Sequence, residues 1–173
     1  MAVLPMRMLP DPILRQKAKR IRNIDASLLR LINDMIDTMQ AAPGVGIAAN
    51  QVGDLHRVMV IQLPDEEPIV FINPEITERS GEREVIEGCL SIPGYQGYLK
   101  RSITVKARGL DLHGKLFKVR ADASTESERD ALFAEALEHE IDHLNGILYI
   151  DHLESHESLH KLEPETAQVQ ASS

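Results

Sequence analysis

The sequence is poor in several things, and each shortage closes off a class of function. Cysteine occurs once in 173 residues, at Cys89, so no internal disulfide can form and a cytoplasmic location is the expectation. No apolar run approaches the roughly 20 residues that span a bilayer, so no membrane association is expected. Met1-Ala2-Val3-Leu4-Pro5-Met6-Arg7 lacks the apolar stretch and cleavage site of a secretory signal. Cations are outnumbered, with 19 Lys and Arg against 27 Asp and Glu, and a net charge of −8 disfavours a broad nucleic-acid-binding face. No direct nucleic-acid readout is expected, although the balance leaves room for a small local basic patch. Gly44-Val45-Gly46 is not followed by the lysine and Ser/Thr of a phosphate-binding loop, and no βαβ context surrounds it.

What is present suits one globular domain with a single core. Residues 1–153 read as a single domain and 154–173 as a polar, flexible tail. Pro10 to Ile24 reads as an irregular arm with a helical turn around Leu14 to Lys19. Asp25 is an N-cap signal, and Leu28, Ile32, Met35, Ile36 and Met39 then recur at helical spacing up to about Ala42, before Pro43. Short β-rich runs follow. Arg57 to Leu63 and Ile69 to Ile72 read as strands, Glu75 to Arg79 is expected to pair with Glu84 to Ile86, and Asp111 to Gly114 closes a hairpin. Thr125 and Glu128 form a capping box for a second long helix that ends at Gly146, with Ile147 to Ile150 extended beyond it. The expected class is α+β: mainly antiparallel sheets around a central metal-binding helix, with an N-terminal helix packed outside.

The chemistry concentrates in Leu137-Glu138-His139-Glu140-Ile141-Asp142-His143. Two histidines four residues apart on a helix lie on one face and can grip one metal ion, while Glu140 is placed to handle a proton of a bound water. Solvated surface histidines are the plain alternative. Leu132 and Ala136 share the histidine stripe, however, and a buried pair without a partner would be costly. A catalytic site needs a third ligand. Cys89, in Glu87-Gly88-Cys89-Leu90-Ser91, could be that ligand or an inert buried thiol. Gly44-Val45-Gly46-Ile47-Ala48-Ala49-Asn50-Gln51 could lie against a ligand or form a tight turn into a strand.

Taken in order, Gly-x-Gly-x-Ala-Ala-x-Gln, Glu-Gly-Cys-Leu-Ser and His-Glu-x-Asp-His resemble the signatures of peptide deformylases, and Pro10-Asp11-Pro12-Ile13-Leu14-Arg15 resembles that family's opening. The resemblance runs from about residue 8 to 153. It implies a metal-dependent amide hydrolase that removes the formyl group from the N-terminal formylmethionine of nascent polypeptides. Cys89, His139 and His143 would hold one divalent ion, Fe2+ first and Zn2+, Ni2+ or Co2+ as alternatives. Glu140 would be the general acid/base, Gln51 and the Leu90 N–H the oxyanion donors, and Gly46 a backbone contact to the peptide. Val45, Val85, Leu132 and Ala136 are candidates for the methionine pocket. Partners implied are N-formylmethionyl peptides, nascent chains and a transient ribosome contact. Arg101 and Asp142 are a candidate ion pair behind the site, and Glu87 a candidate hydrogen-bonding partner within it. The chain departs from the family pattern at Ile47, Gln96 and Glu135 and in the acidic stretch Ser124 to Asp130, which bears on peptide preference. Two rivals predict different outcomes. A peptidase would take its third ligand from Asp151, His152, Glu154, His156 or Glu157, and a non-catalytic binding module would not need Glu140.

Overall fold

In the computed structural model, which describes residues 2–42 and 44–163, Asp25 opens the first helix as its type and position suggest. Its carboxylate accepts from the Leu28 N–H at 2.9 Å, and α1 runs Ala26–Ala41. Pro43, expected to help stop that helix, lies outside the described residues. Leu28, Ile32, Met35 and Met39 form its buried stripe.

That stripe lies on one face of an antiparallel five-stranded sheet. In chain order β1 is Gly46–Ala48, β2 Val58–Ile61 and β3 Ile69–Ser80. Next come β4 (Arg83–Cys89), β5 (Ile92–Arg101), β6 (Thr104–Leu110) and β7 (Leu116–Asp122). After the second helix, α2 (Glu128–Leu144), β8 is Leu159–Lys161. The large sheet has the order β1-β2-β3-β6-β7, and β4-β5-β8 forms a smaller one.

Strand alternation divides the large sheet between the helices. Val58 and Val60 pack with α1, whereas Met59 and Ile61 pack with Phe133, Leu137 and Ile141 of α2. The interior strand β2 is buried along its whole length, which is why its sequence is a continuous apolar run. The small sheet carries its own cluster of Leu14, Val85, Leu99, Leu148 and Tyr149. The observed class is the expected one: α+β, antiparallel sheets about a central helix, with α1 outside.

Several local expectations change. The helical turn in the arm is a 3-10 turn at Pro12–Arg15, capped by Asp11. Ile69 to Ile72 and Glu75 to Arg79 are one strand, continuous through Asn73-Pro74 by means of a register shift. Asn73 tolerates its φ of +51° because its side chain exchanges two 2.8 Å hydrogen bonds with the Ile21 backbone. Glu75 to Arg79 does not pair with Glu84 to Ile86: β3 pairs with β2 and β6, and β4 with β5. Ile147 to Ile150, expected to be extended, runs into a 3-10 turn, Tyr149–His152.

α2 starts at Glu128, with Ser127 accepting from the Asp130 N–H; the Thr125 hydroxyl is spent on the Asp122 carbonyl and the Ser127 N–H. At its other end, the Ala18 N–H donates to the Leu144 carbonyl at 2.8 Å. Gly146 is required there twice over. Its φ is +75°, and a Cβ would sit 2.6 Å from the Arg15 carbonyl oxygen. The tail reading also needs correction, since Leu159–Lys161 pair with Tyr95–Gly97 of β5. Backbone pairing with a distant strand holds this polar stretch, and composition does not report it. Residues 164–173 of the expected tail lie outside the described residues.

Candidate metal centre

α2 presents His139 and His143 one turn apart toward the end of β4, where a two-residue turn at Leu90-Ser91 leads into β5. The Cys89 Sγ lies 3.3 Å from the His143 Nε2, which lies 3.2 Å from the His139 Nε2. The ligand atoms of Cys89, His139 and His143 all fall within 4.8 Å of one another, and this is the one group of metal-binding side chains found among the described residues. The sequence-predicted triad is therefore brought together.

The shell around it fixes the histidines. Glu87 meets the His139 Nδ1 at 2.6 Å and takes a two-pronged contact from Arg101 at 2.6 and 2.9 Å. Burial works to raise the Glu87 pKa, but Arg101 and His139 outweigh it and leave it at about 2. An ionised carboxylate only accepts, so His139 donates through Nδ1 and turns its Nε2 to the cluster. Arg101 also reaches Asp142 at 2.7 Å, and Asp142 accepts from His152 at 2.8 Å. The Arg101–Asp142 pair is thus real, but it is one arm of a buried Glu87–Arg101–Asp142 network.

Burial works against a charge on His139, yet Cys89 and Glu87 outweigh it and hold its pKa well above the ordinary value. Burial and the neighbouring His139 hold His143 well below. A thiolate and two imidazole nitrogens make a donor set that suits zinc or iron. Buried Glu140 adds a carboxyl whose Oε2 has no protein partner. Its Oε1 is 4.0 Å from the His139 Nε2, and burial lifts its pKa to about 7.

Gly46 on β1 must be glycine here, because a Cβ would approach Glu140 to 2.8 Å. Five residues on, the Gln51 Oε1 accepts from the Ala48 N–H at 3.0 Å, which fixes the amide orientation. The Gln51 Nε2 then donates to the Ser91 Oγ at 3.2 Å and lies 3.8 Å from the Cys89 sulfur.

A cleft of about 390 Å³ opens onto this cluster, lined by Val45, Gly46, Leu90, Leu132, Ala136 and their neighbours. Of the four pocket candidates, Val85 does not line it. Val85 faces the small-sheet core, and the adjacent Ile86 faces the cleft, 52% exposed. On a strand a one-residue error switches faces. Glu135 and Gln96, the two departures noted in the sequence, both line the cleft. Glu135 is largely desolvated, which lifts its pKa to about 7.

Ser91 and Tyr149 are site neighbours that sequence reasoning passed over. The Tyr149 ring stacks near His139, with centroids 6.5 Å apart, and the sequence marks Tyr149 only as part of the extended run Ile147 to Ile150. Of the five downstream ligand candidates, Asp151 pairs with Arg15, Glu154 with Lys100, and His152 bonds Asp142, and none of the five, His156 and Glu157 included, belongs to the metal-binding group found among the described residues.

The sequence model of the family "Polypeptide deformylase" matches residues 3–158. The chain belongs to the peptide deformylase family. It is similar to the peptide deformylase of Dehalococcoides mccartyi, with 50% identity over 166 residues and 95% of each chain covered. To the peptide deformylase of Mesorhizobium japonicum it is 48% identical over 158 residues, covering 88% of this chain and 85% of the relative. A crystal structure of a peptide deformylase from Legionella pneumophila superposes with a TM-score of 0.82 at 41% identity, covering 98% of this chain and 94% of the other. A peptide deformylase from Synechococcus elongatus, solved in complex with actinonin, gives 0.82 at 38% identity, with 90% and 83% covered. As a member of the peptide deformylase family the chain is a hydrolase, and no helix among its described residues is long and apolar enough to cross a membrane.

Proposed function

We propose that this chain removes the formyl group from the N-terminal formylmethionine of nascent polypeptides, with Cys89, His139 and His143 holding one divalent ion. Fe2+ is our first assignment for the ion, and Zn2+, Ni2+ or Co2+ would suit the same donors. The observation that carries the reading is the convergence of those three ligand atoms with a partnerless buried carboxyl and a fixed amide donor at the foot of one cleft. When bound, the ion would acidify a water and polarise the formyl carbonyl.

The chain's own groups supply the rest. Glu140, buried and lifted toward neutrality, takes a proton from the attacking water and returns it to the departing nitrogen. The Gln51 Nε2 and the Leu90 N–H donate to the oxyanion that forms at the carbonyl. Because the Gln51 amide is held by Ala48 and Ser91, it does not reorganise during the reaction. β1 and β4 are edge strands, and both border the cleft. An extended peptide would add to these edges through its backbone, with Gly46 one of the contacts. Val45, Leu132, Ala136 and Ile86 would surround the methionine side chain. The catalytic unit on this reading extends past residue 153 to include β8. Nascent chains as substrates place the reaction in the cytoplasm, with transient ribosome contact.

Oxygen-free purification, metal analysis and formate release from formyl-Met-Ala-Ser test the proposal. Cys89→Ala should lose both metal and turnover; full retention of both would sink the ligand assignment. Crowding near the ion should restrict the reaction to formyl groups, so equal turnover of N-acetyl and N-formyl peptides would refute that restriction.

A further inference from the structure

The arm before α1 reads Arg15-Gln16-Lys17-Ala18-Lys19-Arg20-Ile21-Arg22, a dense run of cations without one acid in a chain of net charge −8. Arg15 is paired with Asp151. Lys17, Lys19, Arg20 and Arg22 are exposed, and none has an ion pair or side-chain hydrogen bond among the described residues. Nearby acids are engaged elsewhere: Asp54 accepts from the backbone and ring of His56, and Asp25 caps α1. Concentrating like charge in this way is unfavourable for the isolated chain, since each cation repels the next.

The arm is also held in shape. The Ala18 N–H donates to the Leu144 carbonyl, the Lys19 N–H to the Leu55 carbonyl, and the Arg57 N–H to the Lys19 carbonyl. Ile21 is clasped by Asn73 through both of its backbone groups. Ala18 and Ile21 turn inward, so the cations stand on a rail with a fixed backbone. None of them borders the cleft.

We propose that Lys17, Lys19, Arg20 and Arg22 form a docking surface for the phosphate backbone of structured RNA. The surface has the chemistry for phosphates and little else. No large apolar side chain is exposed along the rail, so it lacks the wedge that an interfacial membrane segment needs and the anchors of a protein interface. No exposed aromatic ring lies on it for base stacking, which points to duplex backbone and not to unpaired bases. The choice of RNA among polyanions rests on the nascent-chain reading above, because such substrates emerge from an RNA-rich particle. Docking at the rail would hold the enzyme there with its cleft open.

The metal-loaded full chain is titrated with a short RNA duplex by fluorescence anisotropy, beside the variant Lys17→Gln/Lys19→Gln/Arg20→Gln/Arg22→Gln. Formate release from formyl-Met-Ala-Ser is measured on both. Four phosphate contacts predict a loss of about 100-fold in wild-type affinity between 50 and 200 mM salt. The variant should bind at least about 10-fold more weakly at 50 mM salt, with unchanged formate release. The milder Lys17→Gln/Arg20→Gln protein should show about half the salt slope, which separates lost charge from lost structure. Absent binding at 50 mM salt, equal binding by the four-fold variant, or tighter binding to phosphatidylserine vesicles or polyglutamate would each overturn the proposal. RNA binding by a protein that releases no formate would leave the surface standing and defeat the deformylase reading instead.

Discussion

Two helices cover opposite faces of one sheet and are built on opposite rules. α1 buries Leu28, Ile32, Met35 and Met39 with a single polar partner, Thr38, whose hydroxyl bonds back to the Asp34 carbonyl. α2 buries Glu138, Glu140, Asp142 and His143 among its apolar residues. The carboxylates Glu138 and Asp142 have partners already in place, Ser102 and Arg79 for the first and Arg101 and His152 for the second, and His143 meets Cys89 through its Nε2, whereas the Glu140 Oε2 has no protein partner. α1 serves packing alone, while α2 combines packing with buried polar groups, of which Glu140 is, on the proposed reading, the one kept for the reaction.

That contrast can be broken most sharply at Glu140. Glu140→Ala should lower formate release by about 10²- to 10⁴-fold, the usual range for a general acid/base, while metal content and melting stay near wild type. A variant that melts early instead would make Glu140 a structural residue. Arg101→Met comes next. It leaves Glu87 and Asp142 buried without their cation, and denaturant titration should show a loss of about 3–5 kcal/mol. Met35→Ala tests the other helix. Its cavity should cost about 2–5 kcal/mol, and the folded fraction should keep its metal and its turnover per site. The smallest effect should be shared. Asp25→Ala and Ser127→Ala each remove an N-cap bond worth about 1 kcal/mol, so the two helices should respond alike where only backbone capping is at stake.

The same contrast explains what could be read in advance. α1 was legible to within a residue, because a cap and a 3.6-residue period are local signals. α2 was legible from its two histidines, although Thr125 and Ser127 both offered a capping hydroxyl and the later one is used. The grouping of Cys89 with His139 and His143, the place of Gln51 beside them and the Arg101–Asp142 pair were legible from three motifs taken in order, through their resemblance to peptide deformylases. Pairing was the weak point. Nothing near Glu84 shows that β4 joins β5 and not β3, nor that Leu159–Lys161 should leave the tail for a sheet edge. Val85 and Ile86 are both apolar, and only the register of β4 decides which one meets the cleft.

The two edge strands beside the cleft carry a further consequence. An unpaired edge invites copies of the chain to stack on one another, and proteins usually blunt such edges with charge or proline. Here β1 is only three residues long, and both edges open onto a single cavity of about 390 Å³. That volume suits a few residues of extended peptide and is too small for the sheet of another molecule. The opening that would admit a substrate therefore also keeps these two edges from pairing with another copy of the chain.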